Sequence, residues 1–349
     1  MEWLELSAAL VLILLSAELF TNGVEWIGEG FGLPEGAVGS VLAAVGTALP
    51  ETILPLVAIW LGRSAGKEIG IGAILGAPFM LSTLAMFVLG VAVLIFARGD
   101  RRSTDLHGDR RVMLQDLGYF LAMYTLALVA GLLHVKGFNW ALAAVLLVGY
   151  VFYVKRHFES PGEEVEEKEA AGEVKPLYFR RWRRRLRGLA PENPGHPEPW
   201  VSISQTAVAL GGIIAGARVF VIGVDNVAAT FNLPPLALTL LLAPIATELP
   251  EKFNSVIWVR RRKDTLALGN LTGAMVFQSS FPVMIGLLLT EWRFTGSQNL
   301  DSLMAAIVAL VAGSVLWLTV KVRGRLAAPL LLFQGAFFAG YVIFVLVRI

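Results

Sequence analysis

Apolar stretches long enough to cross a bilayer follow one another through almost the whole chain. They run at about 4–28, 36–62, 69–97, 112–133, 138–156, 201–229, 235–259, 265–289, 302–320 and 327–347, and a spanning helix needs about 20 such residues. A chain with this pattern cannot fold as an ordinary soluble domain. Of its 349 residues 56% are hydrophobic and 16% charged, against about 45–50% and about 25% for a soluble domain. The expected class is an all-α membrane protein of ten transmembrane helices. The first stretch lacks a basic leader and a small-residue cleavage site, and Glu18 interrupts it. It reads as a retained first span rather than a signal peptide.

The longest polar stretch, 157–200, divides the spans five and five. It begins with an acidic run at Glu163, Glu164, Glu166 and Glu167 and turns basic at Arg180, Arg181, Arg183, Arg184, Arg185 and Arg187, ending rich in proline. This suits a cytoplasmic linker with a lipid-facing basic segment. The expected division is 1–156 as the first five-helix repeat, 157–200 as the linker and 201–349 as the second repeat. About 22 of the 29 lysines and arginines fall in the connections after spans 3, 5, 7 and 9, which makes those connections cytoplasmic and places the N-terminus outside. The opposite side holds Arg63, Lys67, Lys136, Arg293 and Arg348, and Arg218 and Lys252 lie within spans.

The halves repeat in sequence. Shifted by 200 positions, Phe20, Gly23, Val24, Phe31, Pro34, Thr47, Pro50 and Glu51 meet Phe220, Gly223, Val224, Phe231, Pro234, Thr247, Pro250 and Glu251, and Glu25 meets Asp225. Shifted by 197, Gly72 and Gly76 meet Gly269 and Gly273. Because each repeat has an odd number of spans, the second enters from the opposite side. Inverted repeats of this kind build secondary transporters, with the ion site near the midplane where the repeats meet.

Two motifs carry the chemistry: Gly46-Thr47-Ala48-Leu49-Pro50-Glu51 and Ala246-Thr247-Glu248-Leu249-Pro250-Glu251. An interior proline removes one helical hydrogen bond and clashes with the preceding turn. The expected break frees carbonyls near Val45–Thr47 and Ala243–Ala246 to face a cation, as broken backbone at this depth does where it lines a cavity. Glu51 and Glu251 then supply hard oxygen and charge, and two carboxylates with the carbonyls approach the six to eight ligands of calcium. The plainer alternative is kinked helices with the acids packed in protonated form. Intramembrane acids are costly and point to function by default. The paired glycines Gly72/Gly76 and Gly269/Gly273 suit close helix packing, and Asn270 is the ligand-capable side chain among them.

These residues resemble the cation/calcium exchanger superfamily, the sodium/calcium exchangers in particular. There both repeats read approximately G-T-S-x-P-E, followed by G-N-x-x-G-S-N-x-x-N or D. The resemblance spans most of the chain. It implies that Glu51 and Glu251 are the divalent-cation carboxylates, with Thr47 and Thr247 adding backbone or hydroxyl oxygen. The departures are equally specific. Ala48 and Glu248 replace the family serine, Ala77-Pro78 and Ala274-Met275 replace serine–asparagine, and Leu81 and Gln278 stand at the last polar position. In the family those side chains help form sodium sites. The remaining candidates for coupling ions or protons are Glu248, Lys252, Gln278 and Asn270. Glu248 and Lys252, four apart, can pair along a helix, or Lys252 can neutralise an acid when no metal is bound. Arg218 stands at the repeat position of Glu18, and the two can pair at the interface of spans 1 and 6, or Arg218 can anchor the helix near the membrane surface.

The expected function is a secondary cation antiporter at the plasma membrane that exchanges Ca2+, or another divalent cation, for Na+ or H+ by alternating access. The alternative is an exchanger-fold protein that has lost sodium coupling or transport and serves as an ion-binding sensor or scaffold. No enzyme is expected, since no nucleophile–base constellation or phosphate loop stands out. No cysteine is present, which rules out thiolate chemistry. The histidines His107, His134, His157 and His196 lie in or beside polar connections, away from the membrane interior. Inorganic cations and the lipid bilayer are the expected partners, with no cofactor and no nucleic acid, and a monomer is compatible with this arrangement.

Overall fold

The computed structural model describes residues 2–30, 43–61, 65–98, 102–133, 135–158, 176–188, 198–296 and 299–348. The chain is built from helices. These are α1 (Glu2–Gly30), α2 (Ala43–Leu61), α3 (Gly66–Met80), a π-helical turn (Leu81–Ala85), α4 (Met86–Ala97), α5 (Arg110–Leu133) and α6 (Lys136–Phe158). Then come the short α7 (Tyr178–Leu186), α8 (Pro199–Phe231), α9 (Pro235–Arg260), α10 (Asp264–Leu289), α11 (Leu300–Arg323) and α12 (Ala328–Arg348). Helix edges fall within a few residues of the apolar stretches wherever those are described; the expected start of the second span, 36–42, and the acidic run of the linker lie outside the described residues.

Among the described residues, eight helices are long and apolar enough to cross a membrane: α1, α3 continued through the π-turn into α4, α5, α6, α8, α10, α11 and α12. The two remaining long helices, α2 and α9, carry only shorter apolar runs, Pro50–Leu61 and Pro235–Ile245. In α9 the run ends where Glu248, Glu251 and Lys252 begin, so the acid motif itself interrupts the apolar stretch. Leu4, Trp140, Val148, Leu346 and Val347 are exposed on the outer surface. Apolar surface of that extent suits lipid rather than water.

The prolines do not break their helices. The helix is continuous through Pro50 and Pro55 in α2 and through Pro244 and Pro250 in α9. This corrects the expected break. Each proline removes a single ladder bond, and packing on neighbouring helices holds the rest. The irregularity lies instead in the third span, at the π-turn, where Ser82 Oγ donates to Pro78 O at 2.8 Å and Thr83 Oγ1 to Phe79 O at 2.6 Å.

Helices α1 and α8 form the most extensive pair. Their glycines set the register: a Cβ on Gly23 would strike Thr206, on Gly212 Ser16, on Gly216 Ile13 and on Gly223 Leu6. The pair is therefore antiparallel, each residue lying opposite the one whose number completes a constant sum. That register sets Arg218 level with Val11, about two turns from Glu18. The proposed Glu18–Arg218 pairing is thus wrong: Glu18 accepts a hydrogen bond from Tyr178 Oη at 2.9 Å, and Arg218 is exposed.

Several of the remaining contacts come in matched sets. Helix α10 packs on α5 and α6, while α3 and α4 pack on α11 and α12; α2 packs on α8 and α1 on α9; α2 meets α3 as α9 meets α10. Among the described residues the apolar core has two large parts, beside a small cluster of Trp26, Leu177 and Val201. One joins α1, α2 and α8 through residues such as Ile13, Leu54, Ile213 and Phe220. The other gathers α3–α4, α5, α6 and α9–α12 around Phe79, Phe120, Met275 and Tyr341.

Side-chain contacts draw the basic connections to one end. Strand β1 (Asp105–Leu106) pairs antiparallel with β2 (Leu326–Ala327). Arg102 Nη2 bridges both carboxylate oxygens of Asp264 at 2.8 and 2.9 Å, and Nη1 donates to Val259 O at 2.6 Å. At the C-terminal half of α1 and the start of α8, the α7 backbone donates from Tyr178 N to Asn22 Oδ1 at 3.3 Å and from Phe179 N to Gln205 Oε1 at 2.8 Å.

Candidate functional site

Glu51 lies in α2, directly after Pro50, and is 7% exposed; Glu248, in α9, and Gln278, in α10, are each 1% exposed. The three meet. Gln278 Nε2 donates to Glu51 Oε2 in a short hydrogen bond and to Glu248 Oε1 at 3.2 Å. One amide nitrogen thus ties together three helices from both halves of the chain. Charged groups withdrawn from water in this way are expensive unless they are hydrogen-bonded and neutralised. A neutral amide supplies hydrogen bonds to both acids but no positive charge.

The other candidates are placed as follows. Thr247 is buried and its Oγ1 donates to Ala243 O of its own helix at 3.3 Å. Asn270, two turns before Gln278 on α10, donates from Nδ2 to Ser255 Oγ at 3.0 Å, which fastens α10 to α9. Thr47 lies on α2, and Glu251 and Lys252 on α9, with side chains outside the described residues. Glu251 is three positions after Glu248, the spacing of neighbours on one helix face.

The two repeats do not furnish the site equally. Leu81, the counterpart of Gln278, is fully buried and apolar and opens the π-turn. A π-turn inside a helix is frequent at functional positions. The glycine pairs differ too. A Cβ on Gly72 would stand 2.6 Å from Leu236 O, and one on Gly76 would strike Leu240 O, so α3 and α9 approach backbone to backbone. Among the described residues nothing lies within 4 Å of a Cβ on Gly269, and a Cβ on Gly273 would meet only Tyr153 Oη, at 3.9 Å.

Two further features went unread in the sequence. The 197-residue offset extends past the glycines, so that Ser82 and Thr83 match Ser279 and Ser280. All four are fully buried, and the serines of α10 donate to Val276 O at 3.0 and 2.8 Å. The second is Asp116 on α5, 1% exposed, an acid within an apolar span whose composition alone marked it.

The whole arrangement matches a known family. The family model for sodium/calcium exchanger proteins matches residues 2–156 and 201–349. The chain belongs to that family, and it is a multi-pass membrane transporter. The putative antiporter CaxA of Alkalimonas amylolytica is 25% identical over 319 residues, covering 88% of this chain and 87% of CaxA. The crystal structure of the H+/Ca2+ exchanger CAX superposes with a TM-score of 0.68 at 15% identity, covering 99% of this chain and 82% of CAX. The sodium-calcium exchanger NCX_Mj superposes with a TM-score of 0.55 at 20% identity, covering 98% of this chain and 99% of its own. Between its two matched segments the family model leaves residues 157–200 unmatched, which is the long polar stretch of the sequence.

Proposed function

We propose that the chain is a secondary cation antiporter that carries Ca2+, or another divalent cation, in exchange for H+ or Na+. The Gln278 bridge between Glu51 and Glu248 carries this reading: two buried acids from different helices converge on one amide nitrogen. In the cation-bound form the Gln278 amide turns, replacing its N–H donor by its carbonyl oxygen. Glu51, Glu248 and Glu251 then contribute carboxylate oxygens, with Thr47 and Thr247 adjoining, a hard-oxygen shell of the kind calcium takes. Protons compete for the same carboxylates, so proton exchange needs no further site. Sodium coupling is supported by family membership, whereas Leu81, Ala77 and Ala274 lack the oxygen that would hold sodium.

The same reading takes α2 and α9 as spans two and seven of a ten-helix protein made of two inverted repeats, with the N-terminus outside and the linker cytoplasmic. The matched helix contacts and the gathering of basic connections at one end support it. Helices α1 and α8, which share their own apolar core with α2, move against the rest to expose the site to each side in turn. A single chain in the plasma membrane suffices. In proteoliposomes, Ca2+ uptake driven by an outward proton or sodium gradient tests the reading. Glu51→Gln and Glu251→Gln are each expected to abolish uptake, and wild-type uptake in both variants would overturn the assignment. Metal-dependent thermal stabilisation without flux would favour a sensor instead.

A further inference from the structure

Asp116 belongs to none of the exchanger motifs, yet it is held as deliberately as the central acids. It projects from α5 into the junction with α6 and α10, where Tyr153 Oη donates to Oδ1 at 2.9 Å and Thr272 Oγ1 donates to Oδ2 at 2.5 Å. Asp116 is 1% exposed, Thr272 fully buried and Tyr153 6% exposed. An acid inside a membrane bundle is retained against a high desolvation cost, and proton pathways are a recurrent reason.

Its position relative to the central site is informative. Thr272 precedes Gln278 by six residues on α10, or about 9 Å along the axis. Asp116 therefore sits nearer the end that carries the basic connections. The other titratable groups around it are Tyr119 of α5, stacked edge-on against Tyr153 at 5.2 Å, and Tyr150 of α6. The cations of the adjoining helices are peripheral: Lys155 and Arg156 of α6 are exposed, and Lys321 of α11 is exposed over the Trp317 ring. On α10 the charged residue is Asp264, two turns before Thr272 and held by Arg102.

We propose that Asp116 is a proton-binding site whose protonation state is transmitted to α10 through Thr272. As an anion the carboxylate accepts both hydroxyls. When it takes a proton on Oδ2, that oxygen becomes a donor toward Thr272 Oγ1. The Thr272 hydroxyl must then turn its own hydrogen elsewhere, and Gly269 O stands 3.5 Å away on the same helix. One proton is gained and one hydroxyl reoriented. The link between α5 and α10 is thereby rewritten two turns from Gln278. Service of this site in transport rests on the antiporter reading; proton binding itself does not.

Infrared difference spectra of the full-length protein in liposomes, taken across a pH series, test both levels. The expected result is a protonated-carboxyl stretch that is lost in Asp116→Asn. In Thr272→Val and Tyr153→Phe, each one donor poorer, the band appears at higher pH, because the anion has lost a stabilising bond. These two variants keep side-chain volume and decide the matter if Asp116→Asn does not fold. In proteoliposomes Asp116→Asn flattens the pH dependence of Ca2+ uptake, while Glu51→Gln abolishes uptake and keeps the band. A titrating band unchanged in all three variants overturns the proposal, and an Asp116→Asn uptake profile superimposable on wild type overturns the site's part in transport. A band assigned to Asp116 in a protein that moves no cation leaves proton binding standing and fells the antiporter reading.

Discussion

Glu51 and Glu248 approach from different helices to share a single donor, the Gln278 amide nitrogen. Neither acid is the other's counterpart in the repeat. Glu51 corresponds to Glu251, and Glu248 replaces a residue that is Ala48 in the first half. The cluster of acids is therefore asymmetric although the sequence motifs repeat, and the asymmetry makes several measurable demands.

Gln278→Leu copies the first repeat, where Leu81 stands at this position. It removes the donor shared by both acids and leaves their oxygens buried. Loss of a partner from a buried polar group costs roughly 1–3 kcal/mol, so the variant should unfold at lower temperature in detergent and carry no Ca2+ in proteoliposomes. Lowering the pH should restore part of the stability, because protonated acids can donate to each other. A variant as stable as wild type at neutral pH would show that the amide is dispensable.

Glu248→Ser restores the family residue and removes one carboxylate from the cluster. Affinity of oxygen sites for calcium rises with ligand charge. The apparent affinity for Ca2+ should fall at least about tenfold, equivalent to about 1.4 kcal/mol, as read from the substrate dependence of uptake. If Glu248 only balances Lys252 along α9, affinity will be unchanged.

Much of this frame was legible beforehand, and the reasons for success and failure are physical. Spans are written in continuous apolar length, which needs no tertiary knowledge, so the ends of α5, α10 and α12 fall close to expectation. Glu51, from the repeated motif, and Gln278, from the family motif's last polar position, were both candidates in the sequence, and the structure joins them by a hydrogen bond. Their meeting with Glu248 was not readable, because it depends on how α2, α9 and α10 converge. The Glu18–Arg218 pairing failed on register. In an antiparallel helix pair, residues 200 apart face one another only near positions 14 and 214, four residues from the ones chosen. The proline breaks failed because a lost ladder bond is a local penalty, which surrounding helices override. Asp116 was overlooked because it lies outside the repeated motifs, although a lone acid in an apolar span is itself a signal.

The glycine pairs separate packing from permissiveness. A Cβ at Gly76 would strike the Leu240 carbonyl oxygen and stand 2.8 Å from Pro244 Cγ, while one at Gly269 would meet nothing described within 4 Å. Gly76→Ala should force α3 and α9 apart at a cost of about 1–3 kcal/mol. Gly269→Ala should cost little or nothing. Thermal unfolding of the two variants in the same detergent makes the comparison, and equal melting temperatures would contradict the close approach of α3 and α9.

The tie between Arg102 and Asp264 should matter more than the other ion pairs at this end of the molecule. Their side chains are 5% and 11% exposed, and the guanidinium also serves the Val259 carbonyl. His107 N donates to the same carboxylate at 3.2 Å. Arg102→Ala leaves Asp264 buried with one backbone donor and no counter-charge among these bonds, and takes one of two donors from the Val259 carbonyl, which keeps Arg262 N. Removing one partner of a buried pair costs roughly 3–5 kcal/mol. The Arg183–Glu198 pair is the control. Its side chains are 35% and 58% exposed, and a pair so open to solvent is worth about 0–1 kcal/mol. Arg183→Ala should therefore melt close to wild type, whereas Arg102→Ala melts well below it. Because Arg102 follows α4 and Asp264 begins α10, the same variant loosens a junction between the two halves. Limited proteolysis should then cut the connection before β1 faster in Arg102→Ala than in Arg183→Ala. Equal cleavage rates together with equal melting temperatures would reduce the Arg102–Asp264 contact to a surface ornament of the fold.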